Sequence, residues 1–125
     1  MNQINCYTDA SYSNKKNIAV VAYKINDLPI QILTFAGYKN TQAELAGIVH
    51  CINFCSVNYV DIKQINIYTD CQNAWKQDYT ELTMNKFTIN LIKIKGHQKI
   101  ANMKTPEDLI FKSVDKMARK VLRSL

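Results

Sequence analysis

Apolar positions in this chain follow two different periods. Short runs rich in β-branched residues at positions 4–7, 18–25, 30–35, 65–69 and 87–95 read as strands. Polar punctuation at Asn14-Lys15-Lys16-Asn17 and at Asn26-Asp27 joins the first three into a meander. Two longer stretches, 41–57 and 105–124, instead carry helical spacing. In the first, Leu45, Ile48, Val49, Ile52 and Cys55 form the stripe; in the second, Ile110, Val114, Met117, Ala118, Val121 and Leu125 do. Thr41 is placed to cap the first helix, with Glu44 as its capping-box partner. Thr105-Pro106-Glu107-Asp108 opens the last helix with a capping hydroxyl, a proline and two acids in the first turn. A short, weakly patterned helix begins at 73–76. The order βββαβαβα predicts an α/β fold, a mixed five-stranded sheet flanked by helices, in a single domain over residues 1–125.

One strand ending occurs twice. Tyr7-Thr8-Asp9 returns as Tyr68-Thr69-Asp70. Neighbouring strands lie about 4.8 Å apart, so if these two pair, Asp9 and Asp70 end at one edge of the sheet and repel each other. A divalent cation between them would remove the repulsion. In open α/β sheets, sites gather beyond the carboxyl ends of the parallel strands, where this pair would stand. Glu44 heads an otherwise core-facing stripe, which fits either a capping partner or a site residue. Asp115 adjoins the apolar stripe of the last helix.

Composition narrows the class without naming the chemistry. A hydrophobic share of 47% with 21% charged residues is that of an ordinary globular domain. No apolar run approaches the ~20 residues of a membrane span, and the first residues lack the basic flank and apolar core of a secretory leader. These features predict a protein that is not secreted; separately, a free-standing monomer is expected, in the cytoplasm or wherever the genome is replicated. The four cysteines (6, 51, 55 and 71) have no C-x-x-C spacing, which argues against zinc and for a reducing compartment. The net charge of +6 sits entirely in the last third: residues 93–123 hold nine basic residues against three acids, and everything before sums to zero. Such a surplus is either a solvated face or a patch for phosphate backbones.

Tyr7-Thr8-Asp9-Ala10-Ser11, Thr41-Gln42-Ala43-Glu44-Leu45, Tyr68-Thr69-Asp70-Cys71-Gln72, Lys95-Gly96-His97 and Val114-Asp115-Lys116-Met117-Ala118-Arg119 together resemble the successive blocks of type I ribonuclease H, in that family's order and over nearly the whole chain. The resemblance implies a ribonuclease H-like fold and an endonuclease that hydrolyses the RNA strand of RNA–DNA hybrids. It implies that Asp9, Glu44, Asp70 and Asp115 hold two Mg²⁺ ions, with Mn²⁺ able to replace them and Asp9 bridging the pair. It implies that His97 assists proton transfer or product release. Asn40 and Gln72 match positions that face the minor groove of a hybrid, and Ser11 contributes through its backbone. Carboxylates suit the chemistry: Mg²⁺ takes hard oxygen ligands, and two ions roughly 3.5–4 Å apart can activate a water and stabilise the leaving oxygen of a phosphodiester.

The chain also departs from that family's pattern. The stretch between Cys71 and Phe87 has no room for an extra helix and basic handle. Lys39 and Thr41 stand where the family often has Thr and Asn for the DNA-strand phosphate. The interval from His97 to Asp115 is longer than usual, and the glycine-rich turn after the first strand is replaced by Ser13-Asn14-Lys15-Lys16. Two alternatives therefore stand beside the hybrid nuclease. One is a structure-specific DNA nuclease of the junction-resolving kind; the other is a non-catalytic nucleic-acid-binding module on the same fold.

Overall fold

The computed structural model describes residues 2–95 and 105–125. Five strands, β1 (Gln3–Ser13), β2 (Ile18–Ile25), β3 (Gln31–Ala36), β4 (Gln64–Thr69) and β5 (Thr88–Lys93), form one mixed sheet in the order β3-β2-β1-β4-β5. β1 pairs antiparallel with β2, and β2 antiparallel with β3. β4 lies parallel to both β1 and β5. Three α-helices follow in sequence: α1 (Asn40–Asn58), α2 (Thr80–Thr83) and α3 (Pro106–Ser124). The predicted order βββαβαβα and the α/β class are both present.

Helices cover the two faces of the sheet, and the side-chain alternation of β1 follows from this. Ile4 and Cys6 pack under α1 against Ile48, Cys51, Ile52 and Cys55. Tyr7 faces the other way, with Val114, Ala118 and Leu122 of α3. β2 is apolar on both sides for the same reason. Val21 faces Ala43 of α1, while Val20 and Ala22 face α3. Burial of the Ile4, Ile48, Ile52, Ile65 and Ile67 side chains between α1 and the sheet contributes about 1.5–3 kcal/mol each.

Two local expectations need correction. Strand one does not stop at Asp9. It runs on to Ser13, because β2 continues to pair with it up to Ser13↔Ile18 after β4 has ended. Thr41 does not cap α1 either. The helix starts earlier, at Asn40, and is capped by Lys39, whose backbone N–H donates to Gln42 Oε1 at 2.9 Å. Gln42 thus takes the capping-box role assigned to Glu44, and the bland explanation of Glu44 falls away. The last helix begins as expected: Thr105 Oγ1 accepts from Asp108 N at 3.2 Å, with Pro106 as the first helical residue. The weak second helix resolves into a 3-10 turn over Gln72–Lys76 followed by the four residues of α2.

Candidate metal centre

Parallel pairing sets the register of the two repeated strand endings. Tyr7 lies opposite Tyr68, and their rings stack with centroids 4.6 Å apart. Two residues further along each chain come Asp9 and Asp70. β4 has ended by then, while β1 is still held by β2, with Asp9 opposite Ala22. The end of β4 leaves a notch in the sheet edge. Helix α1 closes one side of it and α3 the other.

Three carboxylates meet there. Asp9, Glu44 and Asp70 each place a ligand oxygen within 4.8 Å of the other two. Asp115 arrives from α3 and hydrogen-bonds to the carboxyl of Asp9, although it stands outside that mutual group of three. Its Oδ2 accepts from Arg119 Nη2 at 3.0 Å, one turn further along the same helix. Arg119 Nε is buried and finds no acceptor among the described residues. Glu44 is held by Asn40, whose Nδ2 donates to Oε1 at 3.4 Å, and by the thiol of Cys71.

The crowding shows in the acidities. Asp9 is raised from 3.8 to about 9, first by burial, then by the charge of Asp70 and by Asp115. The backbone N–H of Ala10, donating to Asp9 Oδ1 at 3.0 Å, offsets only part of this. Glu44 is also raised, chiefly by burial, with Asp70 adding to it. Burial, and then the adjoining Glu44, lifts the Cys71 thiol to about 11. It therefore stays protonated as a donor to Glu44. Like charges this close hold a proton unless a cation replaces it. Converging hard oxygens on a half-open edge fit a hard divalent cation well and a soft one poorly.

Asp9 holds its proton to a higher pH in the native chain than in the unfolded one. Above pH 3.8 the unfolded chain releases this proton while the native site keeps it, so the native state binds more protons. Metal-free stability therefore falls as pH rises from 3.8 towards about 9. A divalent cation binds only the ionised site, so its stabilisation grows over the same window. Thermal unfolding in EDTA and in millimolar Mg²⁺ at pH 5, 6.5 and 8 should show a widening gap in Tm. A gap that is constant or shrinks with pH would contradict the site.

The remaining site residues fall as follows. Asn40 opens α1, is exposed, and touches Glu44. Gln72 is exposed at the start of the 3-10 turn, two residues past Asp70. Ser11 is half-buried on β1, two residues past Asp9 and so on the same face. His97 lies outside the described residues. Sequence reasoning assigned no role to Cys71 or Arg119. Arg119 was legible as an i, i+4 partner of Asp115; Cys71 had no such signal, because its contact with Glu44 spans two distant elements. No protein-family model and no curated protein sequence matches this chain.

Proposed function

We propose that the protein is a ribonuclease H-like, metal-dependent endonuclease that hydrolyses the RNA strand of RNA–DNA hybrids. The observation that carries this reading is the convergence of Asp9, Glu44 and Asp70 within 4.8 Å, with Asp115 against Asp9. Four acids, on β1, α1 and α3 and just past the end of β4, meet where β4 stops beside the continuing β1, an arrangement suited to phosphodiester chemistry on divalent cations. Asp9, Glu44 and Asp70 would hold Mg²⁺ or Mn²⁺, with Asp115 beside Asp9 as a fourth carboxylate. The bound ions would supply the charge that activates water and stabilises the leaving oxygen. Cys71 and Asn40 keep Glu44 oriented by donating to it, and Arg119 does the same for Asp115. Asn40 and Gln72 are the exposed amides beside the acids, suited to the 2′-hydroxyls in a hybrid's minor groove.

Incubation of the purified protein with an end-labelled hybrid and Mg²⁺ should release RNA fragments and leave the DNA strand whole. Failure to cut at any Mg²⁺ or Mn²⁺ concentration would overturn the proposal. A second reading, a junction-resolving DNA nuclease, is favoured by one feature. Between Cys71 and Phe87 lie only the 3-10 turn and α2, with no helical handle to grip a hybrid. A four-way DNA junction in the same assay separates the two.

A further inference from the structure

Five of the nine cations in the last third lie on one helix. Helix α3 carries Lys112, Lys116, Arg119, Lys120 and Arg123. At 3.6 residues per turn these five lie roughly 40–140° round the helix from Asp115, all to one side of it. Phe111, Val114, Ala118 and Leu122, which are buried, lie roughly 20–100° to the other side. Asp115 therefore marks the border between the face packed on the sheet and a stripe of cations. From Lys112 to Arg123 the stripe is about 16 Å long.

Two further observations distinguish it from an ordinary solvated face. Among the described residues, no carboxylate pairs with the side chains of Lys116, Lys120 or Arg123, all of which are exposed. An oppositely charged neighbour would normally be placed at i±4 to quench them. The stripe also continues onto a second element. Lys16, in the turn between β1 and β2, donates through Nζ to the carbonyl of Leu122 at 2.9 Å, and this fastens the turn to the C-terminal end of α3. Lys15 beside it is exposed and likewise has no carboxylate partner there. The Lys16 contact satisfies the helix end, and the turn adds positive charge where the stripe runs out.

We propose that this ridge, running along α3 from beside Asp115 to the β1–β2 turn, is a track for the phosphate backbone of duplex nucleic acid. As a substrate track it rests on the nuclease reading above, and it deepens that reading by saying where the flanking duplex lies. A strand carries a phosphate every ~3.4 Å of helix axis, so the length of the stripe corresponds to about five phosphates. The ridge stands in for a basic handle by placing its charge on the helix that also supplies Asp115. Contacts of this kind position the duplex without reading its sequence.

The test is the salt dependence of binding. A fluorescein-labelled RNA–DNA hybrid is titrated with the full chain in EDTA, by anisotropy, over a series of salt concentrations. The variant carrying Lys116→Gln, Lys120→Gln and Arg123→Gln should lose at least about tenfold in low-salt affinity. Its slope of log K against log[salt] should be shallower by about 2–3, close to one unit per lost phosphate contact. A control variant with Lys63→Gln and Lys86→Gln, at the opposite end of β4 and β5, should keep the wild-type slope. Unfolding curves establish that both variants fold. An unchanged slope in the triple variant would overturn the proposal, as would an equal loss in the control. So would loss of binding to phosphatidylserine vesicles with hybrid binding intact, which would assign the ridge to a membrane surface. The readout is independent of cleavage. A wild-type protein that binds with a stripe-dependent slope but never cuts retires the nuclease reading alone; one that cuts with a stripe-independent slope retires the track alone.

Discussion

Asp70→Asn should remove activity and add stability. Cleavage of the hybrid should fall by at least about 10³-fold, the scale on which loss of a preorganised transition-state charge is felt. The same substitution removes one of the charges that push Asp9 away from its ordinary acidity. Two unit charges about 4.8 Å apart interact by roughly 3–4 kcal/mol at an effective dielectric of 20. Asp9 already escapes part of this by keeping its proton, so the net gain in EDTA is about 1–2 kcal/mol, or roughly 5 °C in Tm. In saturating Mg²⁺ the order should invert, because the variant has lost a ligand and gains little from the ion. A measured Tm in EDTA equal to or below wild type would show that Asp70 does not burden Asp9. Full cleavage activity in this variant would remove the carboxylates from the mechanism.

Gly47→Ala should have the largest effect of any small substitution in the core, and it should reach the site. Gly47 lies on the buried face of α1, three residues past Glu44. A Cβ there would come 2.7 Å from Val21 Cγ1 and 2.8 Å from Thr8 Oγ1. Carbon atoms pack at about 3.5–4.0 Å, so either α1 or β1 and β2 must yield. Overpacking of this kind costs about 1–3 kcal/mol, which exceeds the ~1 kcal/mol that alanine gains over glycine in a helix. Thr8 is already strained in another sense: its hydroxyl is buried and has no partner among the described residues. A shift of α1 away from the sheet carries Glu44 away from Asp9 and Asp70, so Mg²⁺ affinity should drop about tenfold along with Tm. Adding Val21→Ala makes room on one side and should recover part of both losses. Unchanged Mg²⁺ binding in Gly47→Ala would mean that Glu44 is positioned by its contacts with Asn40 and Cys71 rather than by the seating of the helix.

The two substitutions act on different links of one chain of cause. Asp70 tests the charge at the site, and Gly47 tests the packing that brings the charges together. Both tests bear on one tension: the acids of the site oppose one another, and its helix is seated so closely that a methyl group at position 47 must displace a neighbour.

Much of this was legible in the linear order of residues. Periodicity alone separates the strands from the helices, because burial on one stripe or on alternate positions leaves a record in the sequence. The repeated Tyr-Thr-Asp marked the acidic edge, and Thr105-Pro106 marked the start of α3, since capping is decided within a few residues. The charge ridge was visible as a surplus but not as a stripe; the wheel of α3 and the exposure of Lys116, Lys120 and Arg123 turned one into the other. Other features depended on partners far away in the chain. That β1 continues past Asp9 is decided by β2, which goes on pairing where β4 has stopped. That Lys39 and Gln42 form the capping box of α1 in place of Thr41 and Glu44 is decided by where the chain leaves β3. The bond from Cys71 to Glu44, the anchoring of Lys16 on the end of α3, and the space that only glycine leaves at position 47 all join residues from separate elements. No local propensity encodes such contacts. They come into being when two helices close on opposite faces of one sheet, and it is that closure which sets four carboxylates from four elements around a single notch.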